Sequence, residues 1–228
     1  GTSMPEIRVE SLSAIEQNFD NGLRFTLTLT EPSDQAVTVG FRTLSAAPSL
    51  GDADYATAAG TVTFAPREVT QTVEITDQED GLDEADEAVT LELFDPVNAD
   101  FAPGAKTLRE TAFVLDDDGV GPNLALHVAS PVVREGAGAV TFALTLSQPA
   151  PRDLALPFRT VDLSAEAGAD YTAASGTARI GAGDTGTTVT VDIAGDGAAE
   201  AAERFALVVD PPADIASGAD GAVGTATL

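Results

Sequence analysis

The chain has 228 residues with no cysteine, no tryptophan and one histidine, and its formal net charge is −26. No disulfide or thiolate chemistry is available, no apolar run approaches the ~20 residues a membrane helix needs, and charge of this sign repels nucleic acid and anionic lipid. A hydrophobic fraction of 43% still supplies real cores, and the length suits two domains of ordinary size.

Gly1-Thr2-Ser3 reads as an expression scar and is set aside. Seven short strands follow, lettered A to G. Strand A is expected within Ile7–Ile15. Strand B spans 23–30, with Leu23, Phe25, Leu27 and Leu29 alternating onto one face. Strand C follows at 37–43 with Val37, Val39 and Phe41. Val62 and Phe64 mark D, Val73 and Ile75 mark E, Val89, Leu91 and Leu93 mark F, and Phe113 and Leu115 mark G. Threonine fills many outward positions, as suits a pleated, half-exposed surface. Pro32-Ser33-Asp34, Gly51-Asp52, Ala65-Pro66 and Pro103-Gly104 punctuate the strands.

The pattern then repeats. Phe25-Thr26-Leu27-Thr28-Leu29 returns as Phe142-Ala143-Leu144-Thr145-Leu146, and Phe41-Arg42-Thr43 as Phe158-Arg159-Thr160. From Asp54 to Leu91 the copies align without a gap at a shift of 116 residues, which carries Asp54-Tyr55 onto Asp170-Tyr171 and Gly60-Thr61 onto Gly176-Thr177. Asp80, Glu84 and Glu87 fall on Asp196, Glu200 and Glu203. Two tandem antiparallel β-sandwiches of immunoglobulin-like type are therefore expected, an all-β chain. The first occupies 1–118, a short Gly/Pro linker 119–123, and the second 124–228, C-terminally truncated and stacked end to end on the first. Gly60 and Gly176 read as tight-turn residues, Tyr55 and Tyr171 as packing residues, and His127 as a surface or edge residue of the second copy's first strand.

Successive strands of such a sandwich run antiparallel, so the A–B, C–D and E–F connections and the end of G share one pole. In the first copy these segments carry Glu16, then Asp54, then Asp77, Glu79, Asp80, Asp83, Glu84, Asp86 and Glu87, and finally Asp116, Asp117 and Asp118. Carboxylates crowded together repel, and a divalent cation reverses the sign of that interaction. Ca²⁺ takes 6–8 oxygen ligands in flexible geometry and suits irregular acidic loops better than Mg²⁺ does. Zinc has no cysteine to bind, and neither acidic run fits the twelve-residue EF-hand pattern. Catalysis is not expected. A pole crowded with carboxylates and almost without aromatics is a poor sugar site, and no Ser–His arrangement is present.

Taken as a set, Glu16, Asp54-Tyr55 before Gly60-Thr61, Glu84 to Glu87, and Asp116-Asp117-Asp118 resemble the Calx-β family, over nearly all of both copies. That family is an immunoglobulin-like sandwich found in sodium–calcium exchangers, an integrin subunit and many bacterial surface proteins. In its Ca²⁺-binding members the distal loops hold calcium. The resemblance implies Glu16, Asp54, Glu79, Asp80, Glu84, Glu87, Asp116, Asp117 and Asp118 as ligands, with a backbone carbonyl near Leu82. Asp77, Asp83 and Asp86 are left as solvated charge. In the second copy Glu135, Asp170, Asp196, Glu200 and Glu203 are the counterparts. Gly195 stands there in place of Glu79 and Ala202 in place of Asp86, so an incomplete site is expected.

The function expected on these grounds is a Ca²⁺-binding structural or adhesive module of a larger extracellular or cell-surface protein. The Ala- and Gly-rich composition fits a bacterial source. Calcium ions are the expected partners, with neighbouring repeats or another protein beside them. Two alternatives stay open: a Ca²⁺ sensor or regulatory region of a membrane protein, and a protein-recognition module in which Ca²⁺ is incidental.

Overall fold

A computed structural model of the chain describes residues 4–15, 22–44, 57–76, 86–103, 105–116, 123–195, 201–216 and 222–228. The chain divides into two compact units, Gly1–Gly121 and Pro122–Leu228.

In the first unit β1 (Ile7–Leu12), β3 (Leu23–Leu29) and β6 (Thr70–Ile75) form one antiparallel sheet in the order β1-β3-β6. The second sheet has the order β2-β8-β7-β4-β5, built from β2 (Ala14–Ile15), β4 (Val37–Leu44), β5 (Ala59–Phe64), β7 (Glu87–Val97) and β8 (Leu108–Leu115). The single strand expected over Ile7–Ile15 switches sheets at Ser13. Its first part pairs with β3, and its last two residues run parallel to β8 as Ala14↔Val114 and Ile15↔Leu115. Phe113 N–H donates to Ser13 Oγ at 3.0 Å, which ties the crossing point to the edge of the second sheet.

The alternating residues of both sheets bury one shared core. Leu23, Phe25, Leu27, Val37, Val39, Phe64, Val89, Leu91 and Leu93 are all fully enclosed in it. Strand β8 departs from expectation by one residue. Its core face carries Ala112 and Val114, not Phe113 and Leu115, because Ala112 pairs with core-facing Val89 and so shares its side of the sheet. A second departure concerns the glycines read as turn residues. Gly60 lies inside β5 opposite Phe41, and a Cβ there would stand 3.1 Å from the phenyl ring. The Phe ring lies across the strand where a side chain would be, a cross-strand use of glycine rather than a turn.

Strand β7 carries Pro96 although it is central in its sheet. The register slips there: Thr38 pairs with Val97 but Gly40 with Phe94, and Asp95 has φ 49°. A bulge at Asp95-Pro96 absorbs the missing N–H. On the outward face of this sheet, Arg42, Glu92 and Arg109 stand side by side across β4, β7 and β8.

The second unit repeats the plan. One sheet has the order β13-β10-β9, from β9 (Leu126–Val128), β10 (Ala139–Leu146) and β13 (Gly186–Asp192). The other has the order β12-β11-β14-β15, from β11 (Leu154–Asp162), β12 (Ser175–Ile180), β14 (Arg204–Val209) and β15 (Ala222–Thr227). Its core centres on Phe142 and Phe205, whose rings meet edge to face at 5.8 Å. Gly176 lies in β12 opposite Phe158, as Gly60 lies opposite Phe41. Among the described residues the helical content is one 3₁₀ turn, Glu135–Ala137, and no helix is long and apolar enough to cross a membrane.

Candidate metal centre

The pairings decide which strand ends share a pole. In the first unit β3 is antiparallel to both β1 and β6, while β7 is antiparallel to both β4 and β8. Strand β2 continues β1 and runs parallel to β8. It follows that β2, β4, β6 and β8 end at the same pole, and that β7 begins there. The segments carrying the predicted ligands are attached at those ends. Glu16, Asp54, Glu79, Asp80, Glu84, Asp117 and Asp118, with Asp77, Leu82 and Asp83, lie outside the described residues.

Two predicted ligands are described. Glu87 opens β7 and is 8% exposed, opposite Val114. Asp116 follows β8, and its Oδ1 is shielded from solvent. Asp86 corrects the sequence reading. Far from being solvated charge, it is 4% exposed, and its Oδ1 accepts the Asp116 N–H at 2.9 Å. Residue spacing alone does not show this. The ladder places Glu87 opposite Val114, so the residue just before Glu87 meets the chain just beyond β8. Asp86 thereby adds a buried carboxylate to the strand ends that carry Glu87 and Asp116.

Glu87 and Asp116 offer hard carboxylate oxygens, the first residue buried and the second with its Oδ1 shielded from water. Carboxylate oxygens suit a hard divalent cation, so these residues fit Ca²⁺ by donor chemistry. Among the described residues no three His, Cys, Asp or Glu side chains form a metal-holding group.

In the second unit Asp196 and Glu200 lie outside the described residues, and Glu135 opens the 3₁₀ turn. Glu203 is half-buried and exchanges backbone hydrogen bonds with Leu228. Asp170 is used within its own turn: its Oδ2 accepts the Glu166 N–H at 2.8 Å. Beside it, Asp162 Oδ1 accepts both the Ala167 N–H at 3.0 Å and the Tyr171 hydroxyl. Tyr171 is buried and stacked on Phe205, with ring centroids 4.0 Å apart and planes 9° apart. Burial and then the neighbouring Asp162 carboxylate push its hydroxyl up to about 12. The packing role read for Tyr171 holds, while Tyr55 lies outside the described residues. The corresponding positions of the first copy are Ser45 and Ala46, which offer no carboxylate for such a brace.

The family model for the Calx-beta domain matches residues 7–119 and again 121–227. Among solved structures the chain is similar to CBD12 from CALX1.2, at 16% identity over 98% of this chain and 100% of that one, with a TM-score of 0.42. It is similar to calcium binding domain CBD12 of CALX1.1 at 18% identity, covering 89% and 78%, with a TM-score of 0.42. The apo-form Calx CBD1 domain matches at 17% identity, covering 46% of this chain and 94% of that one, with a TM-score of 0.41. A search of curated proteins finds no match. Two successive family matches span almost the whole sequence and coincide with two sandwiches of the same strand plan, so the chain belongs to the Calx-beta family as two tandem domains.

Proposed function

We propose that the chain is a Ca²⁺-binding structural module of a larger extracellular or cell-surface protein. In this reading Ca²⁺ fixes the pole of the first unit and the stretch that leads to the second. The observation that carries it is the burial of Asp86 and Glu87, with the shielded Oδ1 of Asp116, at the pole where β2, β4, β6 and β8 end. Bound Ca²⁺ would add positive charge at that pole. Glu87 and Asp116 would hold it, joined by Glu16, Asp54, Glu79, Asp80, Glu84, Asp117 and Asp118 as the family pattern implies. Asp116 stands between β8 and the stretch leading to the second unit. Restraining its carboxylate restrains the start of that stretch, and this is how occupancy at one pole would limit motion in the linker. The second unit has Gly195 and Ala202 where the first has Glu79 and Asp86, and it is proposed to hold calcium incompletely.

Small-angle scattering of the whole chain in millimolar Ca²⁺ and in chelator tests the stiffening. The expected result is a narrower spread of overall dimensions with Ca²⁺, absent in Glu87→Ala. Identical profiles would remove the mechanical role. Calorimetric titration separates the two Ca²⁺ readings. A Kd near 10⁻⁴–10⁻³ M fits an extracellular module, and one near 10⁻⁶ M fits the alternative, a sensor region of a membrane protein.

A further inference from the structure

We infer that Asp86 is a positioning residue for the first unit's calcium site, acting through the backbone of Asp116 and not as a ligand; this inference rests on the proposed Ca²⁺ reading. The β7–β8 ladder has its last pair at Glu87↔Val114. Beyond it the chain on the β8 side continues to Asp116, whose N–H points back toward β7. Asp86 supplies the acceptor there from its side chain, Oδ1 to N at 2.9 Å. The carboxylate caps the open end of the ladder much as an N-cap side chain serves a free helix N–H. Its burial raises the strength of that bond and the cost of losing it.

The capped residue matters. Asp116 directly follows β8, so the sheet itself can hold it. Glu87, immediately after Asp86, opens β7 on the facing strand. Fixing the Asp116 backbone sets the distance and direction between two ligands carried on neighbouring strands. Residues of this kind, which orient a metal's ligands without touching the metal, typically change affinity 10–100-fold when removed. The second copy has Ala202 in this place, so it lacks the cap together with the Glu79 counterpart.

Asparagine keeps the accepting oxygen of Asp86 and removes its charge, whereas alanine removes both. The test compares Asp86→Asn and Asp86→Ala with wild type in the whole chain, by calorimetric Ca²⁺ titration and by amide hydrogen exchange in chelator. The expected result is a Kd within about threefold of wild type for Asp86→Asn and a loss of at least about tenfold for Asp86→Ala. In chelator the Asp116 amide should exchange faster in Asp86→Ala and at the wild-type rate in Asp86→Asn. Equal losses of affinity in both variants would make Asp86 a charge donor or ligand and overturn the inference. Unchanged affinity in both would overturn it as well. A wild-type chain that takes up no Ca²⁺ would defeat the functional reading itself, and the titration of unmutated protein shows that separately. Circular dichroism confirms that each variant keeps its sheets.

Discussion

Single residues show where composition misleads. Asp86 sits in an acidic run that reads as solvated charge, yet it is nearly inaccessible and hydrogen-bonded to the next strand's end. Charge in a sequence carries no mark of burial; the ladder register does, and that depends on a partner strand some thirty residues away. The same limit applies to Gly60, whose neighbour across the sheet is the Phe41 ring and not a turn. His127 was read as a surface or edge residue. It lies on edge strand β9, half-buried, and desolvation pulls it down to about 4. The folded state therefore disfavours the proton that the unfolded chain takes up near pH 6.5. Its contribution is complete above pH 6.5 and is lost as the pH falls toward 4, with a slope below about 1.4 kcal/mol per pH unit because the ring is partly hydrated. Urea titrations of wild type and His127→Asn across pH 4–7 should diverge in that direction. Parallel curves would show that the ring remains solvated.

At the scale of elements, the strands were legible because period-two alternation is a direct consequence of the pleat. Every alternating set expected in the first six strands reaches the core except Phe41, which is half-buried. Strand β8 was misread because Phe113 and Leu115 are bulkier than Ala112 and Val114. Size suggested one face, and pairing with Val89 fixed the other. The outward row of the second sheet was also missed. Glu92 is 1% exposed and is held by Arg42 Nε at 2.9 Å and Arg109 Nε at 2.6 Å, while Arg42 covers the Phe94 ring at 4.8 Å. The sequence clue is an acid between two core leucines, Leu91-Glu92-Leu93, but its partners lie on other strands. The second copy has Arg159, Val208 and Val223 in the same row, so one fold accepts an ionic and an apolar version. Replacing a buried ion pair by apolar groups is often neutral, whereas removing one partner is costly. Glu92→Val alone should destabilise the first unit by about 2 kcal/mol, since Arg42 and the partly exposed Arg109 then lose the carboxylate they share. Adding Arg109→Val should recover most of that loss, because half-exposed Arg42 can turn to water. Denaturation followed by circular dichroism measures both, and a double variant as weak as the single one would contradict the account.

The whole molecule was legible at the level of two sandwiches, because a repeat at a fixed shift exposes the period of the fold. The common pole was legible too, since alternation of strand direction follows from antiparallel pairing and the observed registers reproduce it. The ligand set was not, because seven of its nine predicted members lie outside the described residues, and the acid that joins Glu87 and Asp116 was the one set aside. The two copies also differ in sequence in one corresponding region. Asp162, Tyr171 and Asp170 form a hydrogen-bonded frame in the second, whereas the first has Ser45 and Ala46 opposite Asp162 and carries more of the acidic residues.

The most direct test of the central claim is thermal unfolding of the whole chain in millimolar Ca²⁺, in Mg²⁺ and in chelator, with Glu87→Ala beside wild type. A ligand at a hundredfold excess over its Kd stabilises the folded state by about 2.7 kcal/mol. For a domain of this size that corresponds to a rise of about 10 °C. The account predicts such a rise in the first unit's transition, with Ca²⁺ and not with Mg²⁺, and its loss in Glu87→Ala. Superimposable curves in Ca²⁺ and chelator, or an equal rise with Mg²⁺, would contradict it.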